Sequence, residues 1–211
     1  MVFSTYAPLR VFGKENIPTS SFIFCSNHNS HMDVALLAVA AKKSFNHFGM
    51  LAARDYWFES WIKRIAVNTV MNLIPVDRKS SDNKKLSIQD TEKLCNSFMN
   101  FENRNLILFP EGTRGEPGKI LPFKKGAASF SINLNKPILP AVIYGSHKIW
   151  PRGKIFFGLP TKINVYILEP IYPESFLDGQ NKTEKTVNMA IEKITNMLEK
   201  KIKDKFEDIY E

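Results

Sequence analysis

Residues 22–43, which read FIFCSNHNSHMDVALLAVAAKK, decide the fold. Phe22 to Cys25 is a short apolar run, which predicts a buried strand. Asp33 to Lys43 is rich in Ala, Leu and Val and closes on two lysines, a pattern that is typical of a helix and its C-terminus. This stretch therefore predicts a strand that leads through a polar turn into a helix.

The same alternation continues along the rest of the chain. Apolar runs bounded by turn residues predict further strands at Leu73 to Val76, Asn105 to Phe109, Ile138 to Tyr144 and Lys162 to Leu168. Helical spacing predicts helices at Asp55 to Val70, Gln89 to Phe101, Ala127 to Ile132 and about 184–207, the last with lysines opposite its apolar stripe. Because no internal repeat or linker divides the chain, we expect residues 1–211 to form a single α/β domain. Its sheet should be mixed and partly parallel, with flanking helices.

Composition narrows the class of protein. The chain has 211 residues, of which 44% are hydrophobic, with 12 Pro and 10 Gly, so collagen, low-complexity disorder and disulfide scaffolds are excluded. Two cysteines, Cys25 and Cys95, fit a reducing compartment better than a secreted protein. The 29 Lys and Arg against 21 Asp and Glu give a net charge of +8, which indicates an anionic partner. Nucleic acid, a lipid headgroup surface and a phosphorylated substrate all meet that condition.

Charge and hydropathy are unevenly distributed. Pro117 to Leu168 contains eight basic residues and no acidic one, so much of the excess charge is local. Val34 to Ala41, the longest apolar run, is far shorter than the roughly 20 residues that a membrane-spanning helix needs. The first residues show no basic region followed by an apolar core, so no signal peptide is expected.

Polar clusters follow three of the predicted strands, at Ser26 to Asp33, at Asp77-Arg78 and at Pro110 to Gly115. In α/β sheets, ligand-binding residues lie just beyond the carboxyl ends of strands. These three clusters are therefore the candidate functional sites.

The first cluster carries a candidate general base. Asp33 follows His28 by five residues across a turn, so its carboxylate can reach back to the His28 ring. A carboxylate on one ring nitrogen fixes the tautomer and leaves the other nitrogen free to take a proton from a hydroxyl. The alternative is structural: Ser30 and Asp33 have the spacing of a capping box, which would make Asp33 a helix cap and His28 a loop histidine.

Two neighbours of this pair are weaker candidates. His31 is only two residues from Asp33 and would face away from it on a helix. Cys25 is close to His28 in sequence, but its place at the end of an apolar run favours a buried structural cysteine over a thiol nucleophile.

The cluster at Phe109 to Gly115, which reads FPEGTRG, predicts an anion site. Gly112 lets the backbone turn and approach a ligand, and Arg114 offers a planar fork that matches phosphate oxygens. Arg78 could supply a second guanidinium at the same side of the sheet. Glu111 would then accept a hydrogen bond from a substrate hydroxyl or hold Arg114 in place. The alternative is a tight turn with a surface ion pair.

Together, the three clusters resemble the glycerophospholipid acyltransferase family, the group that contains 1-acylglycerol-3-phosphate acyltransferases. Asn27 to Asp33 matches the first family motif, His-x4-Asp, and Phe109 to Arg114 matches the third motif, Phe-Pro-Glu-Gly-Thr-Arg, at every position. The order and separation of the motifs also agree, and the similarity covers about residues 11–170. The resemblance implies the acyltransferase fold.

The resemblance also implies a reaction and a role for each residue. His28 would deprotonate an acceptor hydroxyl, Asp33 would orient His28, and the oxygen would attack the thioester of an acyl-CoA or acyl carrier protein. The acceptor's glycerol phosphate would be held by Arg78, Glu111, Gly112, Thr113 and Arg114. Lys125, at the start of a predicted helix, and Pro140, in the region of the fourth motif, are possible further substrate contacts. No metal and no cofactor is implied, since the acyl donor is a substrate of this O-acyltransferase.

The second family motif is only partly present. Asn72 to Arg78 has Asn and Pro where the family usually has Gly and Phe, which leaves Arg78 as the firm match. The acceptor therefore stays open among lysophosphatidate, another lysophospholipid, glycerol-3-phosphate, dihydroxyacetone phosphate and another lipid hydroxyl.

The expected partners follow from the charge and from the resemblance. We expect an anionic membrane surface, with the protein peripheral on the cytoplasmic inner face, and no nucleic acid. A candidate attachment segment is Tyr56 to Ile65, which combines aromatic and basic residues, although a core helix or an acyl pocket explains it equally well. The rival classes are a basic nucleic-acid-binding domain and a noncatalytic lipid-binding protein.

Overall fold

A seven-stranded sheet runs through the residues that the computed structural model describes, which are 6–53, 72–76, 87–116, 118–150, 158–177 and 183–210. The strands are β1 (Leu9–Phe12), β2 (Ile23–Ser26), β3 (Phe48–Ala53), β4 (Asn72–Val76), β5 (Asn105–Leu108), β6 (Ile138–Tyr144) and β7 (Ile163–Ile167). Their order across the sheet is β1-β7-β6-β2-β5-β3-β4. Each neighbouring pair is parallel except β6 and β7, which are antiparallel. The prediction of a mixed, partly parallel α/β sheet is confirmed, and most of its strand pairs are parallel.

Helices cover both faces of this sheet. The described residues form α1 (Asp33–Ala40), α2 (Ile88–Asn100), α3 (Gly126–Leu134), the short α4 (Ser146–Ile149) and α5 (Glu184–Tyr210). Single turns of 3-10 helix occur at Lys14–Asn16, Phe45–His47 and Pro173–Phe176. Among the described residues, no helix is both long and apolar enough to cross a membrane.

The core has one layer on each side of the sheet, and β2 contributes to both. Ile23 and Cys25 face the layer formed with α2, α3 and α5, whereas Phe22 and Phe24 face the layer formed with α1. Because successive side chains of a strand point to opposite faces, a strand between two helical layers is apolar throughout. This is why Phe22 to Cys25 is a continuous apolar run rather than an alternating one.

Two strands were not predicted from the sequence. β3 reads FGMLAA and lacks the β-branched residues that mark a strand, and β1 is a four-residue strand with alternating exposure at one edge of the sheet. The predicted helix at Asp55 to Val70 lies outside the described residues, as does the whole candidate attachment segment, Tyr56 to Ile65. The proline that departs from the second family motif, Pro75, lies in β4 at the opposite edge, where a missing N–H is tolerated.

The first helix ends earlier than its sequence indicated. Helix α1 stops at Ala40, and Lys42 adopts a left-handed backbone with φ of 53°. Lys43 N–H donates to the Ala38 carbonyl at 3.2 Å, a bond that reaches back over the last turn and closes the helix. The two lysines therefore follow the helix as its termination rather than belonging to it.

Candidate active site

Three neighbouring strands deliver their following loops to one edge of the sheet. β2 lies between β6 and β5 and runs parallel to both, with Cys25 opposite Pro140 on one side and Leu108 on the other. The loops that begin at Asn27, Phe109 and Gly145 therefore leave the sheet side by side. The order of strands thus brings together the two motifs that the sequence separates by some eighty residues.

The His28–Asp33 pair is present at this edge. His28 Nδ1 lies 2.9 Å from Asp33 Oδ2, and the Asp33 side chain is fully buried whereas 18% of the His28 side chain is exposed. The same Oδ2 accepts hydrogen bonds from the backbone N–H groups of Asn29 and Ser30, both at 2.8 Å. The imidazole stacks on the Phe109 ring, with ring centroids 3.7 Å apart. Asp33 therefore faces Nδ1, which leaves Nε2 as the ring nitrogen directed elsewhere.

Asp33 makes both of the contacts that the two interpretations expected, one to the backbone before α1 and one to the imidazole. Its carboxylate accepts the N–H of Ser30, which is one half of the predicted capping box. The Ser30 hydroxyl, however, accepts the N–H of Met32 at 3.2 Å rather than that of Asp33, and the helix begins after Met32 without a side-chain cap. The same oxygen also meets the imidazole. One buried carboxylate therefore fixes both the turn before α1 and the orientation of His28, which is the arrangement that a general base requires.

Asn27 is a site residue that the sequence did not single out. Its carboxamide bonds to both backbone groups of Ile143 in β6, accepting from the N–H at 2.8 Å and donating to the carbonyl at 2.9 Å. It also donates to Asn29 Oδ1 at 2.9 Å. The amide of Asn27 thus continues the β2–β6 pairing by one position and fixes where the His28 loop leaves the sheet. An asparagine directly after a predicted strand was the available signal.

The segment after β6, residues 145–150, is a further part of this edge that sequence reasoning missed. The Ser30 hydroxyl donates to the Trp150 carbonyl at 2.8 Å, which joins the His28 loop to the chain after α4. His147 lies within α4, and burial, followed by the positive charge of Lys148, lowers its pKa, while Asp33 acts in the opposite direction. No family motif marks this segment, so only the strand order shows that it lies beside the His28 loop.

Glu111 occupies an interior position. Its side chain is 2% exposed, and each carboxylate oxygen accepts a backbone N–H: Oε1 from His28 and Oε2 from Leu121, both at 2.9 Å. Burial raises the pKa of this carboxyl above its ordinary value, and the two N–H donors offset part of that rise. The carboxylate does not bond Arg114, one of the two roles expected for it.

Residues Gly112 to Arg114 are the outward part of the Phe109 to Gly115 loop, whereas Pro110 and Gly115 are buried. Gly112 has a φ of 70°, a left-handed conformation that favours glycine, and the flexible end of the Lys124 side chain lies over it, 2.6 Å from where a Cβ would be. Thr113 is exposed and Arg114 is half-buried. The binding of a ligand by these groups stays a prediction.

Arg114 reaches the other motif through His31. Its Nη1 lies 2.7 Å from His31 Nδ1, and the His31 ring also lies beside Trp150, with centroids 5.2 Å apart. Burial, together with the positive charges of Arg114 and His28, lowers the pKa of His31, so its neutral ring can accept from the guanidinium. His31 faces away from the Asp33 pair, as its position indicated.

The remaining predicted residues are spread more widely. Arg78 lies outside the described residues. Lys125 is exposed, and its Nζ lies 3.7 Å from Glu192 Oε2 on α5. Pro140 is buried inside β6 opposite Cys25, and its carbonyl accepts from Leu168 N–H at 2.9 Å.

The two cysteines are buried and unpaired, which confirms the structural interpretation of Cys25. Burial raises the pKa of the Cys25 thiol, and burial raises that of Cys95 to about 12, with a smaller contribution from Glu92. Neither thiol has the ionised character of a nucleophile.

Comparisons with known proteins agree with this geometry. Residues 8–144 match the sequence model of the acyltransferase family. A 1-acyl-sn-glycerol-3-phosphate acyltransferase of Limnanthes douglasii is 30% identical over 164 residues, which are 78% of this chain and 54% of that protein. The enzyme of that name from Borreliella burgdorferi is 27% identical over 186 residues, 87% of this chain and 70% of that protein.

The crystal structure of the 1-acyl-sn-glycerophosphate acyltransferase PlsC from Thermotoga maritima shares the fold, with a TM-score of 0.70 and 23% identity. That match covers 98% of this chain and 73% of the other. The chain spans about half the length of the plant relatives that it matches. The extent of the family match, together with the paired His28 and Asp33 and the adjoining Phe109 to Gly115 loop, shows that this chain belongs to the acyltransferase family.

Proposed function

We propose that this chain moves a fatty acyl group from an acyl thioester to a hydroxyl of a lysophosphatidate-type acceptor. The observation that carries the proposal is the meeting of a carboxylate-oriented imidazole, His28, with the loop of Gly112 to Arg114 at one edge of the sheet. The relatives that bear the name 1-acyl-sn-glycerol-3-phosphate acyltransferase support this acceptor class.

His28 acts as general base in the proposed reaction. Its Nε2 takes the proton of the acceptor hydroxyl while Asp33 holds the Nδ1–H and stabilises the imidazolium. The acceptor oxygen bonds to the thioester carbonyl carbon, the carbon–sulfur bond breaks, and the thiolate takes the proton from Nε2. The products are an ester and a free thiol. Nothing beyond the two substrates is consumed, so neither a metal nor a cofactor is required by the balance.

The acceptor phosphate is proposed to bind the outward part of the loop. Arg114 supplies a guanidinium fork, Thr113 a hydroxyl and Gly112 a close backbone approach, with Arg78 as a second cation. Lys125 and Pro140 are the weaker members of this set, because Lys125 is paired with Glu192 and Pro140 is enclosed in the sheet. Binding of phosphate in front of His28 would orient the acceptor hydroxyl before attack, which is where an acyltransferase gains most.

An anionic membrane surface on the cytoplasmic inner face is proposed as the place of reaction. Residues 118–150 carry five lysines and no acidic residue, which supports attraction to anionic lipid. Helix α5 does not add to this charge. Its six lysines are balanced by six acidic residues, and contacts such as Lys200–Asp204 at 3.1 Å and Lys203–Glu199 at 2.6 Å pair them along the helix.

The proposed surface is tested by co-sedimentation with vesicles. Vesicles that contain an anionic phospholipid should retain the protein at low salt, and neutral vesicles should retain it less. Equal binding to both vesicle types would remove the electrostatic basis for this proposal.

The proposed reaction is tested with purified protein, radiolabelled acyl-CoA and acyl carrier protein as donors, and a panel of acceptors. The panel contains lysophosphatidate, another lysophospholipid, glycerol-3-phosphate, dihydroxyacetone phosphate and monoacylglycerol. We expect the highest kcat/KM with lysophosphatidate. No transfer from either donor to any acceptor would refute the activity, and preference for monoacylglycerol would refute the acceptor class.

A further inference from the structure

Both backbone polar groups of His28 are held by the loop that follows β5. The His28 N–H donates to Glu111 Oε1 at 2.9 Å, and the His28 carbonyl accepts from the Gly115 N–H at 2.9 Å. A third bond runs beside them, from Asn29 Nδ2 to the Glu116 carbonyl at 2.9 Å. The main chain that carries the imidazole is therefore fixed from both sides by residues of a segment more than eighty positions away.

The Glu111 carboxylate also closes that segment upon itself. Its second oxygen accepts from Leu121 N–H at 2.9 Å, ten residues further along the chain. A neighbouring backbone bond, from Lys124 N–H to the Pro110 carbonyl at 2.9 Å, closes the loop at the same level. The buried Glu111 carboxylate thus forms a bridge that connects the backbone of His28 with the segment that presents Arg114.

We propose that Glu111 is a positioning residue, which places His28 through its backbone N–H and does not contact the acceptor. The proposal rests on the proposed acyl transfer and assigns to Glu111 a role other than acceptor binding. Its geometry supports this role, since the carboxylate is buried and each oxygen already accepts a backbone donor. A carboxylate turned toward a bound phosphate would also repel it.

The bridge has a consequence for the reaction. The base and the phosphate-binding loop share one hydrogen-bonded unit, so the distance between the imidazole and Arg114 is held constant as the acceptor binds. Loss of the bridge should misplace the imidazole for every acceptor, because a displacement of about 1 Å at a reacting group reduces rates by roughly 100-fold.

The first test is Glu111→Gln, which preserves size but replaces one acceptor oxygen with an NH2 group that cannot accept a backbone N–H. Two rates are compared, acyl transfer to lysophosphatidate and hydrolysis of the acyl thioester by water without acceptor. We expect both kcat values to fall together by roughly 10- to 100-fold, with KM for lysophosphatidate changed by less than about 3-fold. A raised acceptor KM with unchanged hydrolysis would overturn the proposal, because it would show direct acceptor binding.

The second test changes no polar group. A Cβ at Gly115 would lie 3.0 Å from Glu111 Oε2, 3.4 Å from the Lys119 carbonyl oxygen and 3.5 Å from Asn29 Nδ2, so Gly115→Ala should push chiefly on the Glu111 carboxylate. We expect kcat for transfer and kcat for hydrolysis to fall together again, but by less than in Glu111→Gln. The matched control is Glu199→Gln, since Glu199 Oε2 accepts the N–H of Phe123 at 3.0 Å on the side of the loop that faces α5. This control should leave both rates within about 2-fold of the parent, and a loss equal to that of Glu111→Gln would overturn the assignment.

Amide hydrogen exchange tests the bridge without any assay of acyl transfer. The N–H groups of His28 and Leu121 should both exchange faster in Glu111→Gln than in the parent, and neither should change in Glu199→Gln. Unchanged exchange at both amides would overturn the proposal. Should the protein fail to transfer acyl groups while these amides respond as expected, the proposed function would be wrong and the structural bridge correct.

Discussion

The loops after β2 and after β5 contain similar polar residues but use them differently. In the first, Asn27, Asn29, Ser30 and Asp33 are all at most 4% exposed, and each of them hydrogen-bonds a backbone group, which leaves the two histidines, His28 and His31, more exposed than these four. In the second loop, Glu111 points inward and accepts the backbone N–H of His28, whereas the next two residues, Gly112 and Thr113, are exposed. The comparison teaches that neighbouring residues of one motif can have opposite tasks, one structural and one directed at a ligand.

The largest loss should follow from His28→Ala. The change removes the proposed base, so we expect kcat/KM to fall by about 3 to 5 kcal/mol of transition-state stabilisation. Because the change also removes the ring stacked on Phe109 and a donor to the buried Asp33 carboxylate, the thermal midpoint should fall as well, and folding is checked beside the assay. Full activity in a folded variant would remove the first loop from the chemistry.

Asp33→Asn should be next in size and should affect both activity and stability. The amide oxygen can take the place of Oδ2 but lacks the negative charge that strengthens the bonds to the two backbone donors and to the imidazole, so the ring is oriented less firmly and the turn before α1 is weakened. We expect kcat to fall by about 2 to 4 kcal/mol and the free energy of unfolding by about 1 to 3 kcal/mol. Denaturant titration beside the kinetic assay separates the two, and an unchanged unfolding free energy would contradict the role of Asp33 in the turn before α1.

Arg114→Gln should act on the outward part of the second loop alone. We expect KM for lysophosphatidate to rise by roughly 10- to 100-fold, with little change for monoacylglycerol, because a charge-assisted bond to phosphate is worth about 1.5 to 3 kcal/mol. Arg114→Lys keeps the charge but not the fork and should lie between the two. Equal losses with both acceptors would show that Arg114 supports the loop instead.

Acidic pH should weaken acceptor binding through the contact that joins the two loops. Above its lowered pKa, His31 is neutral and can accept from Arg114; below it, the ring is protonated and repels the guanidinium. We therefore expect the acceptor KM to rise by about 2- to 5-fold between roughly pH 7 and pH 5. The neutral variant His31→Gln should show a smaller rise over the same range, and an identical pH profile would exclude His31 as the cause.

The smallest effect should come from Lys125→Ala, outside both loops. Its pair with Glu192 is exposed and long, so the free energy of unfolding should change by about 0 to 0.5 kcal/mol. Activity should stay within about 2-fold of the parent. A loss comparable to that of Arg114→Gln would place Lys125 with the outward part of the second loop.

Side chains that act on their own sequence neighbours could be predicted, and those that act across strands could not. The His28–Asp33 and Ser30–Asp33 contacts lie within one turn, so spacing alone predicted them. Asn27 bonds to the backbone of Ile143, and Glu111 bonds to the backbone of His28 and Leu121. Nearly every residue has a backbone N–H, so the sequence does not show which one a side chain will bond. Their roles depend on the placement of β2 between β6 and β5, which the hydrophobic pattern does not specify. Strands β1 and β3 were missed because β1 has only four residues and β3 lacks β-branched residues, so neither sequence is a strong strand signal.

A double-mutant cycle on His28 and Asp33 tests most directly whether the two act as one base. The kcat/KM for lysophosphatidate is measured for the parent, His28→Ala, Asp33→Asn and the double variant. Because Asp33 would act on catalysis only through the imidazole, the double variant should lose no more than His28→Ala, which corresponds to a coupling of about 2 to 4 kcal/mol. Losses that simply add would contradict the account, because they would show that Asp33 contributes to catalysis independently of His28.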